Sequence, residues 1–138
     1  MPQFNTYLTF DGNCAEAMRF YEKALGGKLD LMTNGQSPVA GQIPAENNER
    51  VMHARLVFEG GTLMASDALI GMGFSGMKGF ALTLTYDTAS EARRMFDTLG
   101  EGGKVGMPFE KTFWAEGFGM LTDRFGTPWI INGGMTAA

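Results

Sequence analysis

The side chains that could carry out chemistry are few in this sequence, and a lone histidine leads them. His53 is the only imidazole in the chain, which excludes a metal centre built from two or three histidines of one chain. In a partly enclosed site an imidazole titrates near neutral pH and could act as a general base. The competing interpretation is a partly buried histidine that is hydrogen-bonded to the backbone or near Arg55. No glutamate in the sequence stands where its carboxylate would be expected to lie beside His53.

Cys14 is the second group with nucleophilic potential. It falls in the first turn of a predicted helix, where the local electrostatics favour a thiolate. The alternative is a small residue that simply begins the helix. Because Cys14 is the only cysteine, no disulfide can form within the chain. Together with the lack of a signal peptide at the N-terminus, this predicts a reduced, cytoplasmic protein.

Aromatic side chains are concentrated in residues 112–132, a segment that holds both tryptophans of the chain. Such density is typical of a protein core. The aromatic residues just before and at the start of the predicted strand 117–122 could equally form one wall of an apolar pocket, with a glutamate as its polar group. The candidate pocket residues of this segment are Phe113, Trp114, Glu116 and Phe118.

Short elements that occur twice along the chain must position these side chains. In each half, a strand leads into a helix whose start has capping-box spacing, Asn13 with Glu16 and Thr88 with Glu91. Three more strand-like segments follow each helix. The predicted strands are 5–10, 28–33, 51–58, 62–67, 82–87, 104–107, 117–122 and 129–132.

The predicted fold class is therefore α+β, a tandem duplication of a βαβββ module. The modules span about 1–70 and 78–138 and form a single domain, 1–138, which is close to the commonest domain size. A net charge of −4 argues against nucleic acid and anionic membrane surfaces as partners. No apolar run approaches the roughly 18 residues of a membrane span. A small molecule or a protein is left as the partner.

Strand alternation predicts which residues lie on the face of the first sheet that its helix leaves uncovered. Leu8 and Phe10 form the apolar side of the first strand, so Tyr7 points away from the helix. The same alternation places His53 and Arg55, and also Ser66, on the uncovered face. An error of one residue in register would reverse these assignments.

Several motifs together resemble the PhnB-like branch of the vicinal oxygen chelate superfamily, which also holds glyoxalase I, bleomycin-resistance proteins and extradiol dioxygenases. These motifs are residues 8–21, 51–56, 63–67, 112–119 and 123–129. The resemblance implies that the two modules curl into an open barrel-like cup, the glyoxalase/bleomycin-resistance/dioxygenase fold, with the ligand site in the cup. It also implies a homodimer, which the exposed strand edges favour.

Catalytic members of that superfamily hold a divalent metal through His and Glu side chains on the first and last strands of each module. Carried over by position, the resemblance places these ligands at Asn5, Met64, Ala81 and Ile130. Amide, thioether and aliphatic groups cannot replace imidazole and carboxylate donors. We therefore expect no glyoxalase-type metal site and no cofactor.

The function predicted from the sequence is binding of a small apolar or aromatic molecule in the cup. The alternative is an enzyme, which would either hold a metal through shifted ligands around His53 and Glu116 or use His53 as a base. A methyltransferase is not expected, because the glycine-rich segment 71–76 precedes a predicted strand rather than a helix. The predicted ligand-binding residues are Tyr7, His53, Arg55, Ser66, Phe113, Trp114, Glu116 and Phe118.

Overall fold

The computed structural model describes residues 2–136, which contain two α-helices and eight strands in the order of two βαβββ modules. The α-helices are α1, Cys14–Leu25, and α2, Ala89–Gly100. The strands are β1 Thr6–Phe10, β2 Lys28–Thr33, β3 Val51–Phe58, β4 Gly61–Asp67, β5 Leu82–Tyr86, β6 Lys104–Glu110, β7 Ala115–Thr122 and β8 Pro128–Met135. The chain divides into two compact units, residues 1–76 and 77–138. No helix of the described segment is both long and apolar enough to cross a membrane.

The first unit is a four-stranded sheet covered on one face by α1. Its strand order is β1-β4-β3-β2, with β1 parallel to β4 and the other neighbours antiparallel. The core forms where one stripe of the helix meets alternate residues of the strands, because side chains along a strand point to opposite faces. The buried residues of this core are Leu8, Phe10, Cys14, Ala17, Met18, Tyr21, Ala54, Leu56, Leu63 and Ala65.

The second unit repeats this arrangement with the order β5-β8-β7-β6. Its helix lies unusually close to the sheet at Gly133 in β8. A Cβ atom on Gly133 would stand 2.3 Å from the carbonyl oxygen of Thr88 and 2.8 Å from the Cβ of Ala92. Only glycine allows α2 to contact the backbone of β8 so closely.

The two helices begin in different ways. The Thr88 side chain accepts a hydrogen bond from the Glu91 N–H at 3.1 Å, as the capping spacing predicted for α2. For α1 the predicted side-chain cap is wrong, because Asn13 occupies the N-cap position without forming a cap hydrogen bond. The carboxylate of Asp67, at the end of β4, instead accepts hydrogen bonds from the N–H groups of Gly12 and Cys14.

Strands β6, β7 and β8 are longer than their sequence patterns predicted. The prediction ended β8 at Asn132, yet the strand continues to Met135. Gly133 serves close packing there, and Gly134, with a φ of 65°, takes a conformation that other residues rarely adopt. As a result, Asn132 lies inside a strand rather than at its end.

Candidate functional site

The uncovered face of the first sheet carries all four site residues that the sequence predicted for this module. Leu8 and Phe10 are each only 1% exposed against α1, whereas Tyr7, which alternates with them on β1, is 49% exposed. On β3, Ala54 and Leu56 are buried while Arg55 is exposed and His53 is partly exposed. Ser66 is partly exposed between buried neighbours on β4. The burial pattern thus agrees with the predicted sidedness.

The strand register aligns two of these side chains, Tyr7 and Arg55, in a row across the sheet with Met64 and Asp30. Tyr7 pairs with Met64, Met64 with Arg55, and Arg55 with Asp30. In the two antiparallel pairs the opposite residues have Cβ atoms about 4.5–5.5 Å apart, and Tyr7 and Met64 are register partners in the parallel pair of β1 and β4. The four side chains are therefore neighbours on one face. The row therefore offers an aromatic ring and a thioether beside a guanidinium and a carboxylate. Such a surface can bind an apolar body and orient a polar group on it.

His53 lies close to this row and contacts an aromatic ring. The ring centroids of His53 and Tyr7 are 6.3 Å apart, with an angle of 32° between the ring planes. In residues 2–136 the imidazole has this ring contact and no hydrogen bond. A general base is normally oriented by a hydrogen bond from a third group. The described residues supply no such hydrogen bond to His53.

Cys14 is not a reactive thiolate. Its side chain is fully buried between α1 and the sheet. Burial, and secondly the nearby negative charge of Asp67, raise the pKa of the Cys14 thiol to about 12. The thiol therefore stays protonated at neutral pH. Of the two interpretations of Cys14, the small residue that begins a helix is the one that the structure supports.

Three of the four site residues predicted in the second module form an aromatic cluster, which we define as Phe113, Trp114 and Phe118. The ring centroids are 4.7 Å apart for Phe113 and Trp114 and 5.2 Å apart for Trp114 and Phe118, both edge-to-face. Phe113 is 86% exposed, whereas Trp114 and Phe118 are partly buried. A cluster that is open on one side is an apolar surface rather than a closed core.

The fourth residue, Glu116, lies on the same face of β7 as Phe118, two residues away. A Cβ atom built on Gly134 would stand 3.0 Å from the Glu116 Cβ, which places the two residues side by side on β7 and β8. The carboxylate is exposed and has no ion-pair partner within the described residues. It is available to a positively charged or hydrogen-bond-donating group.

Sequence reasoning missed Asn132, which also lies on this face. Its neighbours in the register are Thr85 on β5 and Phe118 on β7. Asn132 is only 7% exposed, and its Oδ1 atom is buried without a hydrogen-bond partner in the described part of the chain. The sequence signal for Asn132 is its position as a polar residue directly after the apolar run of residues 129–131. The prediction placed this residue at the end of the strand.

Trp129 lies on the opposite, helix-packed face of β8. It is 2% exposed. Its indole N–H donates a 2.8 Å hydrogen bond to Oδ2 of Asp123, a buried carboxylate that also accepts from the N–H groups of Phe125 and Thr127. The two tryptophans of the chain therefore have different environments, and Trp129 belongs to the core.

The residues at the superfamily's metal-ligand positions do not fit a divalent metal. Those positions hold Asn5, Met64, Ala81 and Ile130, a set without one imidazole or carboxylate. Among residues 2–136, no three His, Cys, Asp or Glu side chains cluster closely enough to hold a metal ion. No catalytic step through a metal follows from this donor set.

Comparison with known proteins shows the family to which the chain belongs. A family model described as 3-demethylubiquinone-9 3-methyltransferase matches residues 2–132. The protein YjdN of Escherichia coli is 38% identical, with 91% of each chain covered. The crystal structure of protein PA1353 from Pseudomonas aeruginosa is 44% identical, covers 99% of this chain and 100% of its own, and has a TM-score of 0.90. A putative 3-demethylubiquinone-9 3-methyltransferase, the PhnB protein from Bacillus cereus, is 24% identical with a TM-score of 0.75, covering 94% of this chain and 97% of its own.

The paired βαβββ modules define the α+β fold of the vicinal oxygen chelate superfamily, and the predicted fold class is confirmed. The chain belongs to the family of this model, and it shares its fold with the PhnB protein from Bacillus cereus. The description of the family model names a methyltransferase, but the glycine-rich segment 71–76 is followed along the chain by strand β5. A glycine turn that binds a nucleotide-like group needs a helix N-terminus after it. This segment therefore lacks the context for holding such a methyl donor.

Proposed function

We propose that the protein binds a small apolar or aromatic molecule on the faces of its sheets that the helices leave uncovered, without a glyoxalase-type metal. The observation that carries the proposal is the row Tyr7, Met64, Arg55 and Asp30, with His53 beside it, on the open face of the first sheet. Pocket surfaces typically combine a mainly apolar lining with a few polar groups that fix orientation. On this face the ring of Tyr7 and the thioether of Met64 supply the apolar part, and Arg55, Asp30 and His53 supply the polar groups.

The exposure of Tyr7 supports the proposal. At 49% exposed, the ring keeps a large apolar area in contact with water. Removing apolar area from water contributes about 25 cal/mol per Å², so an aromatic ligand that covers this ring gains binding free energy. The exposed guanidinium of Arg55, two residues along β3 from His53, supplies directional hydrogen-bond donors beside the ring.

Fluorescence titration with N-phenyl-1-naphthylamine, a neutral aromatic probe, tests this function. We expect saturable binding to the wild-type protein and at least tenfold weaker binding to Tyr7→Ala, because the substitution removes the exposed ring from the face. Met72→Ala is the matched control: Met72 is 71% exposed but lies outside both sheets, and its loss should not change the affinity. Equal affinities for the two variants would contradict the proposed location of the site.

Removal of metal ions provides a separate prediction. Because the superfamily's ligand positions lack metal donors, prolonged treatment with EDTA should leave the melting temperature unchanged. A metal bound tightly to the native state must stabilise it, by about 2.7 kcal/mol at a free concentration of one hundred times Kd. Stoichiometric metal in the purified protein, together with a drop of several degrees on chelation, would therefore contradict metal-independent binding.

A further inference from the structure

We infer that the hairpin joining β6 and β7 binds an organic cation, a quaternary ammonium group that carries apolar substituents. The cation contacts the aromatic cluster of Phe113, Trp114 and Phe118, and two glutamates beside the cluster attract its charge. The inference rests on the proposed function and adds the charge of the ligand. An anionic ligand is opposed by the same surface.

The first observation is the backbone at the tip of this hairpin, which is held in place from two sides. Phe113 and Trp114 form the tip. The Thr112 N–H donates to the carbonyl oxygen of Ala115 at 3.0 Å, and the Thr112 hydroxyl accepts hydrogen bonds from the N–H groups of Trp114 and Ala115. Beyond the end of β8, the Thr136 N–H donates to the carbonyl oxygen of Trp114 at 2.8 Å. A surface fixed in this way loses little conformational entropy when a ligand binds.

The second observation is the geometry of the three rings. Trp114 contacts both Phe113 and Phe118 edge-to-face, and Phe113 is 86% exposed. The face of an aromatic ring carries partial negative charge, so a cation within about 6 Å of the ring centroid is attracted, most strongly by tryptophan. Because Phe113 is so exposed, a cation can approach the cluster directly from solvent.

The third observation is the negative charge on the same face. Glu110 on β6 is the register partner of Phe118 on β7, and opposite residues in an antiparallel pair have Cβ atoms about 4.5–5.5 Å apart. Glu116 precedes Phe118 by two residues on β7, so the two side chains share a face. Both glutamates are exposed, and within residues 2–136 neither forms an ion pair, even with the neighbouring Lys111. Two carboxylates that lack a positive partner in the described chain therefore flank the cluster.

The combination of rings and carboxylates selects a ligand by its charge. A quaternary ammonium group is attracted by both, and its methyl groups cover apolar ring surface. A neutral molecule of the same shape gains only from the burial of apolar area, whereas an anion is repelled by the glutamates. Such a cation has no N–H donor, so its recognition here depends on charge and ring contact rather than on hydrogen bonds.

Choline and 3,3-dimethylbutan-1-ol test the inference, because the two molecules have nearly the same shape and only choline is charged. Binding is followed by NMR on the two indole N–H signals of the chain. Trp114 reports on the cluster, and Trp129, which is buried and bonded to Asp123, is the internal reference. We expect the wild-type protein to bind choline at least about fivefold more tightly than the alcohol. Equal affinities would overturn the inference.

Two variants at exposed positions test the location of the site. Phe113→Ala removes a ring, and the double variant Glu110→Gln/Glu116→Gln removes both charges at nearly constant size. Each should weaken choline at least about threefold, and the double variant should leave the alcohol unchanged. The matched controls are Phe4→Ala, since Phe4 is 97% exposed but precedes β1, and Glu101→Gln, since Glu101 is an exposed carboxylate just after α2. Both controls should bind choline as the wild-type protein does, and unchanged choline binding in either test variant would overturn the inference.

The outcomes separate this inference from the proposed function. Saturable binding of N-phenyl-1-naphthylamine combined with no preference for choline overturns the cation site alone. A Trp114 signal that shifts with protein concentration in the absence of any probe would show that a second copy of the chain covers the hairpin, which also overturns the cation site alone. If none of the three probes binds, both the proposed function and the inference are overturned.

Discussion

Replacing Asp67 with alanine should lower the free energy of unfolding by about 3–5 kcal/mol, the sum expected for leaving several buried N–H groups without their charged acceptor. The carboxylate joins three segments that are distant in sequence. Its Oδ1 accepts hydrogen bonds from Gly12 at 2.8 Å and Cys14 at 3.0 Å, and its Oδ2 accepts from Val51 at 2.8 Å. Asp67 is only 7% exposed, and its hydrogen bonds to Cys14 and Val51 are buried, whereas the one to Gly12 is partly buried.

Two substitutions serve as controls in the same urea-unfolding measurement. Asp11→Ala removes a half-exposed carboxylate that pairs with Arg50 at 2.8 Å, and such surface pairs contribute about 0–1 kcal/mol. Thr88→Ala removes the corresponding cap of α2 and should cost about 1 kcal/mol. An Asp67→Ala loss no larger than that of Asp11→Ala would mean that Asp67 does not organise the start of α1.

Trp129→Ala should be more destabilising than Trp114→Ala by at least about 1 kcal/mol. Trp129 is 2% exposed and donates to a buried carboxylate, so its truncation leaves a cavity and costs roughly 3–5 kcal/mol. Trp114 is already partly exposed in the free protein, so its replacement should cost less stability but should abolish binding of an aromatic ligand. Urea unfolding of both variants gives the comparison. Equal or reversed losses would remove Trp114 from the binding face.

The sidedness of β1, β3 and β4 could be predicted because it depends on local alternation. Leu8 and Phe10 on one side and Tyr7 on the other are set by the two-residue period of a strand, and the helix that covers one face follows directly in sequence. The repeated order of elements then predicted a second module with the same helix and strands. These features need no knowledge of contacts between distant residues.

The role of Asp67 could not be predicted, because it depends on the tertiary structure. Its partner Cys14 is 53 positions away in sequence, and the local pattern instead favoured Asn13 as the cap. The second module gave no clue either, because the register places Asp67 beside Phe10 in β1 but places Gly133 beside Tyr86 in β5. The duplicated elements therefore use different residues at the starts of their helices.

The predicted site was incomplete for a related reason. The aromatic residues near Trp114 were found from composition alone, whereas the predicted strand ended at Asn132, just before Gly133 and Gly134. Those glycines allow α2 and Glu116 to approach β8 closely, and their conformation becomes understandable only once the neighbouring elements are in place. Glycine is therefore an ambiguous signal of a turn.

The proposal of a metal-independent aromatic-binding protein is tested most directly by calorimetric titration of N-phenyl-1-naphthylamine into EDTA-treated protein. We predict saturable, stoichiometric binding whose affinity does not change when Zn²⁺ is restored, because the face around Tyr7, His53 and Arg55 needs no metal to bind an aromatic ring. Absence of binding to the metal-free protein, or binding that appears only after Zn²⁺ is added, would contradict the proposal.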